Sequence, residues 1–169
     1  MTIKQPSHNE ITVETQSQSV KVSFLDSIKL NINDSLVEKP GEYEINNVYV
    51  QALEVPNPDY VGVVDFAGIR MENLDLGCIF TDKATNKEFL KDVANIDILV
   101  ISAEVSAEAA KRALTYFEPQ YLIVLANKDV ESIKKEYNLP NFVEEKSLKL
   151  KESDFPRGEN IILRPIILK

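Results

Sequence analysis

Apolar and polar residues alternate through most of the first half of the chain. ITVET, SVKVSF, IKLNIN, EYEI, VYVQALEV, YVGVVDF and IRMENL place hydrophobic side chains two apart, the period of a half-buried strand. Asn33-Asp34, Pro40-Gly41, Asn46-Asn47, Pro56-Asn57-Pro58 and Ala67-Gly68 supply the turns between them. VVDFAGIRM is expected to be a hairpin whose turn uses Gly68 at positive φ. Residues 11–80 therefore predict a β-sandwich or a large antiparallel meander.

The pattern changes at Thr81. Thr85 and Glu88 in TNKE form a capping-box signature that opens a short helix running to about Val93. IDILVI (96–101) is apolar apart from Asp97 and reads as a fully buried strand. SAEAAKRALTYFE (106–118) puts Ala109, Ala110, Ala113, Leu114 and Phe117 on one helical face, and Pro119 stops it. YLIVLA (121–126) is a second buried strand, so 96–126 predicts a parallel βαβ unit. DVESIKKEYN is a further helix ending at Asn138, and NIILRPIIL a last strand. The whole predicts one α+β domain over residues 1–169, two sheets face to face with helices outside. Residues 1–10 are expected to be a flexible tail.

Composition narrows the chemistry. The sequence has 169 residues and a net charge of −8, with 19 basic and 27 acidic side chains. That balance repels a phosphate backbone, so nucleic acid is not the expected partner. The best basic stretch, KSLKLKESDFPRG, alternates Lys149 and Lys151 with Leu148 and Leu150 and fits a strand with one solvated face. No apolar run approaches the ~20 residues of a membrane span, and the N-terminus lacks an apolar signal region. A single cysteine excludes an internal disulfide, and a cytoplasmic protein is expected.

His8 is the sole histidine and Cys78 the sole cysteine. Zinc and iron sites draw on three or four converging imidazoles, thiolates and carboxylates, which this pair cannot supply. His8 is expected to be a solvated tail residue, and Cys78 a small buried apolar one. Only carboxylate chemistry around Mg²⁺, Mn²⁺ or Ca²⁺ stays open on composition. Glu42, Glu44 and Glu54 have the strand parity for such a weak site or, more simply, for a solvated sheet face.

KPGEYEINNVYVQAL resembles the PGEYE hairpin of the metallo-β-lactamase-fold hydrolases of the UlaG-like branch. VVDFAGIRMENLDLG is similar to the segment leading into that family's GDLG turn. VANIDILVI and SAEAAKRALTYFEPQYLIVL resemble its later strand and helix-strand pair, and the closing segment its last elements. The likeness covers roughly residues 35–169. It implies an αββα metallo-β-lactamase-like sandwich, shortened in the N-terminal half.

The resemblance also implies a ligand set, most of which is missing. No HxHxDH loop precedes the hairpin, and EVPNPDY follows it without a histidine. The PVGG loop is replaced by Ser102 to Val105. Asp75 in LDLG matches the family's bridging aspartate, while the late histidine falls at Ala126 or Asn127. Asp75 is a remnant of the metal site in that comparison, and from its own residues a turn-capping aspartate. The implied protein is a catalytically inactive member, with no cofactor and no catalytic or metal residues, serving as a scaffold or regulatory subunit. The alternatives are a hydrolase with an atypical carboxylate site or one completed by another chain, and a small-molecule-binding module around Asp75 and Asn127. A protein partner or homo-oligomer is expected, because deletion of part of the first sheet should uncover apolar strands. Elemental analysis of the purified protein should find well under one zinc, iron or manganese per chain after brief chelation.

Overall fold

A computed structural model describes residues 1–57, 59, 61–93, 95–102, 104–125, 130–155 and 162–168. The first sheet is built from β1 (Thr2–Ser7), β2 (Glu10–Glu14), β3 (Ser19–Phe24), β4 (Ile28–Ile32), β5 (Ser35–Val37) and β13 (Ser147–Lys149), in the order β13-β1-β2-β3-β4-β5. All its neighbours are antiparallel. The second holds β6 (Gly41–Ile45), β7 (Val48–Leu53), β8 (Phe66–Met71), β9 (Leu74–Ile79), β10 (Ile98–Ile101), β11 (Tyr121–Leu125), β12 (Val143–Glu145) and β14 (Arg164–Leu168). Its order is β12-β14-β11-β10-β9-β8-β7-β6, parallel from β12 to β9 and antiparallel from β9 to β6.

Period-two alternation decides which side chains meet. Ile11, Val13, Val20, Val22, Ile28, Leu30 and Ile32 are fully buried against Val50, Ile69, Met71, Leu76 and Cys78 of the second sheet. On the other face of that sheet, Phe66, Ile79, Leu99, Ile101, Leu122 and Val124 receive α1 (Lys87–Leu90), α2 (Ala107–Phe117) and α3 (Val130–Tyr137). Ala109, Ala110 and Ala113 let α2 lie close to the strands. Ser106 caps it by accepting from the Ala109 N–H (3.2 Å), and Glu118 ends it in the left-handed region (φ 47°).

Several expectations change. Residues 1–10 are not a tail: β1 pairs with both β2 and β13, and Ile3 is fully buried. The polar QPSHNE stretch hid a strand because its outer face is solvated and its hairpin turn is His8-Asn9. The VVDFAGIRM hairpin is also corrected. Gly68 lies inside β8, and the chain reverses at Glu72-Asn73, both with positive φ (53° and 57°), the geometry that matches sheet twist. The capping residue of α1 is Asn86, which accepts from the Glu88 N–H (3.0 Å), and the helix is a single turn.

Among the described residues, helices stand on one face of the sandwich alone, so the layers run ββα and the expected αββα order lacks its first helical layer. The outer face of the first sheet is instead finished by cross-strand ion pairs, Lys4–Glu14 (2.6 Å), Lys21–Glu10 (2.7 Å) and Lys29–Glu38 (3.7 Å). The apolar strands IDILVI and YLIVLA are covered within the chain as well. β10 and β11 are buried throughout between the first sheet and the helices.

Two glycines test the packing. A Cβ on Gly77 would meet three Ile96 side-chain atoms at 3.2 Å, whereas one on Gly68 meets ordinary contacts of 3.4–3.9 Å. Gly77→Ala is expected to cost about 1–3 kcal/mol in denaturant unfolding, and Gly68→Ala under about 0.5 kcal/mol.

Candidate functional site

Parallel strands aim their C-terminal ends at one rim of the sandwich, and open sheets of this kind bind ligands outside those ends. β9, β10, β11 and β14 all end there, as do β7 and the turns His8-Asn9 and Leu25-Asp26-Ser27 of the first sheet. The Ile28 N–H donates to the Val64 carbonyl (2.8 Å), and the Phe24 N–H to the Asn9 carbonyl (2.7 Å), tying those turns together. His8, expected in a mobile tail, thus sits on this rim.

Two aspartates mark the rim, Asp65 just before β8 and Asp82 three residues beyond β9. Asp65 accepts from the Val55 N–H (2.9 Å) and the Thr81 hydroxyl (3.4 Å). Asp82 accepts twice from Ser106, from the backbone N–H (2.7 Å) and from the hydroxyl (2.7 Å). Both carboxylates are therefore anchors: one holds the loop after β7, the other the N-terminus of α2. Ser102, 3% exposed, donates to the Phe80 carbonyl (2.7 Å) and accepts from the Glu104 N–H (3.2 Å). The Tyr137 hydroxyl donates to the Val105 carbonyl (2.6 Å), and burial holds its phenol well above the ordinary value.

Two hollows open on this side. Asp26, Asp65, Thr81 and Lys83 border one of about 190 Å³. A larger groove of about 900 Å³ runs between the loop after β7 and α1, walled by Leu53, Val55, Pro56 and Phe89 with Lys83 and Arg112 among its polar groups. Leu25 and Val61, 62% and 83% exposed, lie in the rim's loops. Among the described residues no three His, Cys, Asp or Glu side chains are grouped as metal ligands would be.

Asp75 is elsewhere. It lies at the start of β9, level with Asp97, whose carboxylate accepts from the Asp75 N–H (2.9 Å). β11 ends at Leu125, five residues beyond the level of Asp75, or on the order of 16 Å along the strand direction. Ala126 and Asn127, the other half of that expected site, fall outside the described residues. Asp75 does not cap a turn. It faces Arg70 across the β8–β9 ladder and accepts from its Nε (2.7 Å) and Nη2 (3.3 Å), which raises the arginine's pKa chiefly through that hydrogen bond.

The acidic trio dissolves as well. Glu42 and Glu44 sit opposite Gln51 and Tyr49 on the solvated face of β6, while Glu54 has left β7 and accepts from the Gly62 N–H (2.6 Å). Cys78 is fully buried in the inter-sheet core, and burial pushes its thiol up to about 12, so it is no nucleophile at neutral pH. Sequence reasoning passed over Asp65, Asp82 and Arg112. The available signal was position: an aspartate directly after an apolar strand that precedes a βαβ unit.

No protein-family profile matches the sequence, and no curated protein matches it. A solved structure does resemble it: a protein from Thermotoga maritima described as a candidate Zn-dependent hydrolase of the metallo-β-lactamase superfamily. The match has a TM-score of 0.72 at 14% identity and covers 99% of each chain. The chain therefore has a metallo-β-lactamase-like fold, and relative to this neighbour no half is missing. The donor set does not fit a zinc ion: one imidazole in the sequence, a buried thiol, and the rim carboxylates of Asp65 and Asp82 held by internal donors.

If Asp82 is an anchor, Asp82→Ala should cost about 0.5–2 kcal/mol through the freed α2 terminus, equally with and without chelator. Asp75→Ala, which breaks an ion pair whose arginine is half exposed, should cost under about 1 kcal/mol. Chemical denaturation of both variants checks the pair.

Proposed function

We propose that this chain is a non-catalytic protein of metallo-β-lactamase-like fold, a degenerate relative of the UlaG-like branch, that works by binding another protein as a scaffold or regulatory subunit. The observation that carries this reading is the use of the rim carboxylates. Asp65 and Asp82 stand where open sheets place their chemistry, and each is held by donors from the chain itself. A hydrolase of this fold needs a polarising metal and an activated water. The donor inventory supports neither.

Leu25 and Val61 support the binding half of the reading. Two exposed aliphatic side chains on adjacent loops of the functional rim are the kind of anchors that a partner buries. The groove beside Phe89 favours a second reading, a small-molecule-binding module, because its walls are apolar and its volume suits a ligand of moderate size.

The test combines turnover and binding. Phosphodiester, ester and lactone substrates should show no hydrolysis above background with Zn²⁺, Mn²⁺ or Mg²⁺ supplied. Proximity labelling in the native cell should recover a defined partner that is lost with Leu25→Asp and Val61→Asp. Metal-dependent turnover would sink the non-catalytic assignment. A partner unaffected by both variants would remove the rim from the interface.

A further inference from the structure

A third hollow lies on the far side of Arg112, between α1 and the exposed face of α2. Its volume is about 480 Å³, and Thr85, Lys87, Glu108, Lys111, Arg112 and Tyr116 border it. Residues 108, 111, 112, 115 and 116 recur at helical spacing on the face of α2 opposite its buried alanines. Three cations therefore meet one carboxylate, in a chain whose net charge is −8.

The arrangement is preformed. Arg112 donates from Nε (3.3 Å) and Nη2 (3.2 Å) to the hydroxyl oxygen of Thr85, a residue only 3% exposed. Thr85 is itself fixed, donating to the Asp82 carbonyl (2.8 Å). A neutral hydroxyl orients the guanidinium without neutralising it. Among the described residues its one carboxylate partner is Glu108, at 3.2 Å from Nη1, whose side chain is 88% exposed and so weakly held. Lys87 and Lys111 have no ion-pair partner among the described residues. Tyr116 is pinned by its hydroxyl donating to the Leu90 carbonyl (2.9 Å) and by edge-to-face packing on Phe117 (5.1 Å), which leaves a rigid aromatic wall.

We infer that this hollow binds a small organic anion, a phosphate or carboxylate on a planar or apolar body. The anionic group takes the Nη1 position now held by Glu108 and is flanked by Lys87 and Lys111, while the body lies against Tyr116. The site is independent of the non-catalytic reading, since none of these side chains is a rim anchor.

Calorimetric titration with phenyl phosphate, inorganic phosphate and phenol tests the inference on the intact chain. Phenyl phosphate should bind saturably and about tenfold more tightly than either half alone. Lys87→Ala and Lys111→Ala, both at exposed positions, should each weaken it by roughly threefold to tenfold, with unchanged melting. Glu108→Gln should tighten it by about threefold, because it removes the competing carboxylate. Failure of all three compounds to saturate overturns the inference. So does binding that is indifferent to both lysines, or binding that weakens in Glu108→Gln.

Discussion

The apolar interface between the two sheets is the constraint on which the other features depend. Once β1–β5 present Ile11, Val22, Leu30 and their neighbours inward, the second sheet has one face committed. Its remaining apolar face must then take the helices, and all three go there. The polar outer surface of the first sheet follows from the same alternation, because the inward hydrophobes of β3 and β4 alternate with outward Lys, Ser and Asn. A helical layer on that side would have to bury the ion pairs that now finish it, at a desolvation cost with little return.

That layering places the strand ends. A parallel run from β9 to β14 gathers Asp65, Asp82, Ser102 and the N-terminus of α2 at one rim. The same rim gathers the hairpin turns of the first sheet. Their polar groups are spent on holding loops to one another, with distances of 2.7–2.9 Å at the strongest contacts. Asp65, Asp82 and Ser102 thus each hold a loop or a helix end at the rim of the open sheet.

Much of the fold was legible in the sequence. Continuous apolar runs gave β10 and β11, the alanine-rich face gave α2, and alternation gave β2, β3, β4, β6 and β7. β1 was not legible, because Thr2–Ser7 contributes Ile3 as its one fully buried side chain and is otherwise polar. The β8–β9 turn was misplaced because glycine is the stronger turn signal, yet Glu72-Asn73 has the better register: it lets Ala67, Ile69 and Met71 face the core together. For the site, the sequence offers one histidine, so a metal centre built from several imidazoles of one chain is not expected. The likeness at Asp75 rests on a short motif read without its place in the strand. LDLG begins β9, and only the pairing of Asp75 with Arg70 reveals which end of the sheet it occupies.

The first strand is paired with almost the last. Thr2 lies opposite Lys149, and the N-terminal ammonium donates to the Leu150 carbonyl (3.0 Å). On the ribosome, therefore, β1 keeps an open hydrogen-bonding edge until Ser147–Lys149 have been made. Closure of so long a loop costs entropy before any contact repays it, which places this protein among slow-folding topologies. The nascent first sheet is held meanwhile by its own hairpins, and the polar residues of QPSHNE keep the waiting edge from pairing with a neighbour.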